Sequence, residues 1–430
     1  MNQEQSEKTE DLALIIGAGP VGLSMAKGFL ERGIPYVQVE ASGDVGGNWA
    51  HGVYETAHII SSRSTTELPD SPMPADYPDF PSAAQMHAYF RDYASKHGLL
   101  PHIRFHSEVV AVAPRADGRW QVRLADGFEA TYKAVLVCNG HHWKRSFPPW
   151  ASQFTGELLH SKDYKRPSQL AGKRVLVVGG GNSACDLVCE AARVATHTDW
   201  SLRRGYWFMP KTLFGVPSIE LIKPWVPVAA QRLIIRAAIA VVIGDYERYG
   251  LPKPDHRIFD AHPTVNSEVF HYLKHGRVHP RGDVVEVSGQ TVRFADGGEA
   301  TYDLIACGTG FDLAFPFLPE GTVPVRGKVA ELWAGGLRPE HRHLYVVGTS
   351  QVRYGIGPLL RPLAQLLPEL YLLQDELTVP LGELLRRLGE RPPTSHLLDP
   401  HQAIRRMAMA RRLMPVIRWR ARRLGLMRAA

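Results

Sequence analysis

Cysteine is scarce in this 430-residue chain, and the four present, at 138, 185, 189 and 307, form no CxxC pair and no cluster at metal-ligand spacing. That excludes a disulfide scaffold, a zinc ribbon and a dithiol centre of adjacent cysteines, and it fits a reducing compartment. No metal site is expected. Long apolar runs are lacking too. The longest candidate, residues 224–243, is interrupted by Gln231, Arg232 and Arg236, the pattern of a partly buried helix and not of a membrane span. No basic stretch precedes the first apolar run in MNQEQSEKTEDLALIIGAG, so the reading is a cytoplasmic protein without a secretory leader. Acid is absent from one region: residues 401–430 carry nine arginines and no carboxylate, more than the whole formal charge of +7. The rest of the chain is therefore slightly acidic, and no nucleic-acid partner is expected.

Two glycine-rich loops dominate what is there, in a chain long enough for two or three domains. Leu12 to Ile16 is an apolar run of strand length, and GAGPVG at Gly17 to Gly22 leads from it into helical spacing over Val21 to Leu30. In such a turn the first glycine permits the bend, the second lets backbone approach a pyrophosphate, and the third lets helix pack on strand. Gly17, Gly19, Pro20 and Gly22 are the candidate contacts, at a helix N-terminus whose free amides attract phosphate. The next run, Tyr36 to Val39, ends at Glu40. A carboxylate there accepts ribose hydroxyls and repels a 2′-phosphate, which suits FAD or NAD and not NADP.

The second loop, GGGNSACD, follows the run Arg174 to Val178 and has Ala184 where the third glycine would stand. Gly179, Gly181, Asn182 and Ser183 are its candidate contacts. The run through Trp200 to Leu202 ends in Arg203 and Arg204 instead of an acid. Paired guanidinium groups hold a 2′-phosphate through planar bidentate donors, so this site suits NADPH. The plan is duplicated: VRLADGFEATY, Val122 to Tyr132, recurs as VRFADGGEATY, Val292 to Tyr302. Strand, glycine loop, helix and hairpin therefore succeed one another twice.

Between the loops, Phe154 to Lys165 reads FTGELLHSKDYK, with Phe154, Gly156, His160 and Tyr164 at the spacing FxGxxxHxxx(Y/F). With a glycine loop on each side, the chain resembles the flavin-containing monooxygenase family over about residues 10 to 365. The resemblance implies an α/β, three-layer fold of two Rossmann-like dinucleotide-binding domains, FAD/NAD(P)-binding, the second inserted in the first. Its expected parts are 1–150, the first part of the FAD-binding domain; 151–172, a fingerprint linker; 173–305, the NADPH-binding domain; 306–400, the second part of the FAD-binding domain; and 401–430, a basic amphipathic C-terminal helix.

The same resemblance implies FAD contacts at Gly47, Asn48 and Trp49 in GDVGGNW, and at the backbone of Val109, in what should be the next parallel strand, Ser107 to Val112. It implies others at Gly140, at Gly310 in the ATG-type crossover Ala306 to Phe311, and at Gln351. The sequence departs from its relatives before the proline-rich loop at 69–81. The asparagine commonly found there is missing, and Ser61, Ser62 and Arg63 stand nearby. Ser62, Arg63 and His160 are thus the catalytic candidates, with His160 read as a hinge residue in preference to an acid or base.

The implied activity is reduction of FAD by NADPH, addition of O2 to give a flavin hydroperoxide, and oxygen transfer to a nitrogen or sulfur nucleophile of a small organic substrate. Such chemistry needs no Ser/His/Asp triad. Tyr164 and Lys165 favour this branch over Baeyer–Villiger oxidation of a ketone, which stands as the alternative. An NADPH-dependent reductase and a non-catalytic flavoprotein are the readings from other classes. Cys185 and Cys189 read as packing thiols, and the adjacent His141 and His142 as facing apart without a third metal partner. From Ile404 to Met427 one apolar stripe runs among the arginines. It suits the protein's own body, the partner of a homodimer, or peripheral contact with an anionic membrane.

Overall fold

The computed structural model describes residues 9–223 and 225–429; the acidic opening stretch 1–8 and Pro224 lie outside the described residues. Each glycine loop leaves the central strand of a five-stranded parallel sheet. The first sheet runs Leu344–Val346, Ala134–Val137, Ala13–Ile16, Tyr36–Val39, Ile103–Arg104. The second runs Glu157–His160, Leu304–Cys307, Arg174–Val178, His197–Ser201, His279–Arg281. Position by position the two orders correspond, so the duplicated sequence is a duplicated sheet.

Alternation along the central strands builds three layers in each unit. Ala13 and Ile15 face a core shared with helices Pro20–Glu31 and Gly357–Glu376, while Leu14 and Ile16 face the antiparallel strands Val109–Pro114, Trp120–Leu124 and Glu129–Tyr132. In the second unit Val175 and Val177 face helix Asn182–Val194, and Leu176 and Val178 face strands Val284–Ser288, Thr291–Phe294 and Glu299–Thr301. The repeated AspGly turns put Gly127 and Gly297 at φ +85° and +83°, a left-handed region that glycine enters freely.

Three expectations need correction. Ser107 to Val112 is not the next parallel strand. Ile103–Arg104 takes that place, and Val109–Pro114 joins the antiparallel layer, where its alternating burial fits a sheet with one solvated face. Residues 151–172 are more than a linker: Glu157–His160 is the edge strand of the second sheet, in register with Leu304–Cys307. The tail is two helices, Pro400–Arg412 and Met414–Arg423, and Pro415 sits in the first turn of the second, where a missing amide proton costs no hydrogen bond.

The tail's apolar stripe packs on the first unit. Met414 and Ala421 are buried, Met407, Ala410 and Ile417 lie against the same core, and Arg411 and Arg418 pair with Glu369 and Glu376 of helix Gly357–Glu376. Helix Val228–Val242 is partly buried as expected, through Gln231, Ile235 and Ile239. Among the described residues no helix is long and apolar enough to cross a membrane.

Candidate functional site

At the first loop, Gly17 adopts φ +99° and a Cβ there would stand 2.7 Å from the carbonyl oxygen of Cys138. A Cβ on Gly22 would collide with the Gly17 carbonyl, so helix and loop touch backbone to backbone. Gly46 donates its amide to Ala18 O at 2.9 Å, and a Cβ on Gly47 would press Gly19 Cα at 3.1 Å. Two glycine backbones therefore abut beside helix Pro20–Glu31, which has no side-chain cap and no acid in its first turn. Its leading amides are left for an anion. Glu40 lies at the rim, taking the Ala18 amide at 2.7 Å on Oε2 and the Ser42 amide at 2.9 Å on Oε1. Ser107 donates to the Glu40 carbonyl at 2.8 Å, which keeps Val109 near that rim despite its change of sheet.

The second loop repeats this with one exchange. Gly179 has φ +120°, and helix Asn182–Val194 is again uncapped and free of acid in its first turn. Ala184 replaces the third glycine because Gly308, across from it, has no side chain: a Cβ on Gly308 would sit 2.5 Å from the Ala184 methyl. Around Gly181 nothing lies within 4 Å of an added Cβ, the open space a pyrophosphate needs. Trp200 Nε1 and Thr264 Oγ1 brace the loop by donating to Gly179 O and Gly180 O, both at 2.7 Å. Asn182 Oδ1 accepts the Val265 amide at 2.8 Å, so that oxygen is committed to protein. Close to Ser183, the Tyr54 phenol donates to Asp186 Oδ2 at 2.5 Å.

The residue matching Glu40 is Leu202: each amide donates to the neighbouring strand, Glu40 to Arg104 O and Leu202 to Arg281 O. Leu202 is buried, so no carboxylate stands at the end of this strand. Arg203 and Arg204 come next, exposed and without an ion pair among the described residues, with Arg204 lying 5.4 Å over the Tyr206 ring.

Between the loops the two crossings of the chain pair with each other, Lys144–Arg145 against Phe311–Asp312. His160 fastens them. Its Nδ1 accepts the Lys162 amide at 3.1 Å, which leaves the proton on Nε2 to donate to Gly310 O at 3.0 Å. Burial holds this imidazole below its ordinary pKa, so it is a neutral latch. The other fingerprint positions pack. Phe154 and Tyr164 are buried, Tyr164 lies 5.4 Å from the Tyr54 ring, and a Cβ on Gly156 would strike the Phe154 ring. Asn48 spans the units, donating to His142 O at 3.0 Å and accepting from Lys162 Nζ at 2.6 Å, while Trp49 packs against both cores. Gly140 and Gly310 take φ +70° and +84° at the two crossings, and Gln351 donates its amide to His396 O at 3.0 Å.

Ser62 and Arg63 make their bonds close to their own segment. Ser62 caps the short helix Arg63–Thr66, and the Arg63 guanidinium donates to the carbonyls of Pro74, Ala75 and Tyr77. Both fix the proline-rich loop. His256 borders an open cavity of about 1060 Å³ on the second unit, with Trp207, Arg232, Arg236 and Tyr246. All four cysteines are free and buried, and burial pushes the thiols of Cys138 and Cys307 up to about 12. Sequence reasoning missed a buried polar strut, Asp199 with His197, His279, Arg281 and Tyr302. The two imidazoles stack with 10° between planes, so their lone pairs cannot converge on one ion, and Arg281 already balances the carboxylate.

Comparison with known proteins shows the family. The sequence model of the family described as flavin-binding monooxygenase-like matches residues 10–353. The chain belongs to that family. Flavin-containing monooxygenase 5 of Cavia porcellus is 32% identical over 382 residues, covering 82% of this chain and 71% of that protein. An indole-3-pyruvate monooxygenase of Oryza sativa subsp. japonica is 30% identical over 321 residues, covering 72% and 79%. Among solved structures, a flavin-containing monooxygenase from Stenotrophomonas maltophilia superposes with TM-score 0.62 at 24% identity, over 83% of this chain and 98% of that one. Closed cyclohexanone monooxygenase gives TM-score 0.74 at 16% identity, over 98% and 100%, a likeness of fold alone.

The protein is thus an NADPH-dependent flavoprotein monooxygenase, with FAD and NADPH as cofactors. The two cradles fit such a pair: both have uncapped helix N-termini, and only the first has a carboxylate at its ribose rim.

Proposed function

We propose that this flavin-binding monooxygenase uses NADPH and O2 to place one oxygen atom on a soft nitrogen or sulfur nucleophile of a small organic molecule. The other oxygen leaves as water, with NADPH and one proton supplying the electrons and hydrogen. FAD, when bound, takes the hydride and activates dioxygen. The protein's share is holding, orienting and sheltering. FAD falls to Gly17, Gly19, Pro20, Gly22, Glu40, Gly47, Asn48, Trp49, Val109, Gly140, Gly310 and Gln351. NADPH falls to Gly179, Gly181, Asn182, Ser183, Arg203 and Arg204. On this division, residues up to about 150 and from about 306 hold the flavin, and the stretch between holds the nicotinamide cofactor.

The observation that carries this reading is the latch between the cradles. A neutral His160, the paired crossings and the Asn48–Lys162 bond tie two differently rimmed nucleotide sites into one cleft. Oxygen transfer to a substrate that is itself the nucleophile asks for alignment and exclusion of water. Methyl phenyl sulfide and a cyclic ketone, offered separately with NADPH under 18O2, test it. The expected product is sulfoxide carrying one 18O atom. Labelled ester from the ketone without sulfoxide would assign Baeyer–Villiger chemistry, and NADPH consumption yielding peroxide alone would remove oxygen transfer to either probe.

A further inference from the structure

Four histidines that neither glycine loop uses gather beside the crossover. His141 and His142 come after the turn at Gly140, His262 precedes strand Thr264–Val265, and His396 precedes strand Leu397–Leu398. The expectation that His141 and His142 face apart fails because the strand ends at Val137; past it the two rings meet edge to face at 4.0 Å. The His396 ring is 5.9 Å from His141, and His142 lies 5.3 Å from Phe311. His262 is close enough to add to the charge felt by His142 and His396.

Two shortages mark this cluster. His141 donates from Nδ1 to Gly348 O at 2.9 Å, which leaves its Nε2 a buried lone pair with no donor, and Nδ1 of His396 is buried and unpartnered too. Buried polar atoms are nearly always paired, so two orphans in adjoining rings ask for a cause. The second shortage is of negative charge. Lys162 Nζ reaches only Asn48 Oδ1 and the His142 carbonyl, and a Cβ on Gly310 would lie 3.3 Å from Lys328 Nζ. Among the described residues neither lysine forms an ion pair, and no carboxylate bonds to any of the four histidines. The protein packed around them holds all four imidazoles below their ordinary range, although His142 itself is open to solvent, with His396 at about 4 and Lys162 at about 8.

An anion entering the cluster relieves both shortages. Its charge lets a buried imidazole take up a proton, and the proton turns an orphaned nitrogen into a donor aimed at the anion. The dinucleotide phosphates do not fill this role, because each has its own uncapped helix N-terminus. We propose that His141, His142, His262 and His396, flanked by Lys162 and Lys328, form a subsite for a carboxylate group carried by the substrate. The proposal rests on the oxygenation reading of the cleft and narrows its substrates to organic acids bearing the oxidisable atom.

Calorimetric titration of the FAD- and NADP+-saturated protein with benzoate and with benzamide, its uncharged near-isostere, tests the subsite. Running each in Tris and in HEPES, which differ in ionisation enthalpy, counts the protons taken up. Benzoate is expected to bind about tenfold or more tightly than benzamide, with uptake of roughly one proton. His142→Asn should cut that preference about three- to tenfold. Lys328→Met, on an exposed turn, should do so in the same direction without touching the core. Equal affinity for the two probes overturns the proposal, as does a preference without proton uptake that both variants leave unchanged. If the protein fails to hold FAD, its visible spectrum reports that separately, and the same titration on the flavin-free chain still decides the subsite.

Discussion

At the scale of single residues, the division of labour between the cradles comes down to one matched pair. Glu40 and Leu202 occupy the same place in the two sheets, and directly after Leu202 stand two exposed guanidinium groups that have no carboxylate partner among the described residues. If Arg203 and Arg204 hold the 2′-phosphate, the double variant R203A/R204A should raise the KM for NADPH and leave that for NADH almost unchanged. Both groups are solvated, so each contact is worth about 1 kcal/mol and the pair about tenfold or somewhat more in KM. A parallel rise for both cofactors would move the 2′-phosphate elsewhere. The glycine loops, Glu40 and the arginine pair were legible in the sequence because each sits within a few residues of a strand whose apolar run announces it. The histidine cluster was not. Its members lie at 141, 142, 262 and 396, and only the closing of both sheets brings them together. The bonds of Arg63 were hidden for a related reason: the carbonyls it holds belong to an irregular loop whose path no periodicity reveals.

At the scale of elements, the repeat in the sequence foretold two copies of one plan but not which strand closes each sheet. Ile103–Arg104 is too short to show a pattern, and Glu157–His160 reads as a connector until Leu304–Cys307 is placed beside it. The exchange at the second glycine loop was hidden likewise, since the residue that makes room for Ala184 lies 124 positions along, at Gly308. Two substitutions separate packing from binding here. Gly308→Ala forces a methyl against Ala184 and should destabilise the second unit by about 1–3 kcal/mol. Gly181→Ala meets nothing within 4 Å and keeps an extended backbone at φ −82°, ψ 176°. It should cost stability about 0.5–1 kcal/mol at most, the difference between glycine and alanine at a helix N-cap, yet weaken NADPH binding by filling the space left for phosphate. Urea melts and NADP+ titrations of both variants check this, and a Gly181→Ala protein with full NADP+ affinity would show that no phosphate approaches that backbone.

At the scale of the whole molecule, the two units are tied by the pairing of Lys144–Arg145 with Phe311–Asp312 and by the neutral His160 latch, and histidines held neutral recur throughout. Burial lowers the pKa of nine histidines, 97, 141, 142, 160, 262, 341, 343, 396 and 401, in both units and at the crossover. The sign of the consequence is fixed by linkage. Above pH 6.5 these imidazoles are neutral folded or unfolded, and their contribution to stability is complete. As pH falls from there toward the depressed folded values, the unfolded chain binds protons that the native protein refuses, and stability is lost. The carboxylates held low by partners, Asp163 and Asp375 among them and Glu383 down to about 2, add their own loss only at more acid pH. His396, with a folded value of about 4, accounts by itself for about 1–2 kcal/mol between pH 7 and 5, after allowing for its partial exposure. The FAD-saturated protein should therefore melt lower at pH 5 than at pH 7.5, by a shift on the order of 5 °C, with most of the fall between pH 6.5 and 5. A melting temperature level across that interval would mean that the buried imidazoles find their protons, or their partners, in the folded state after all.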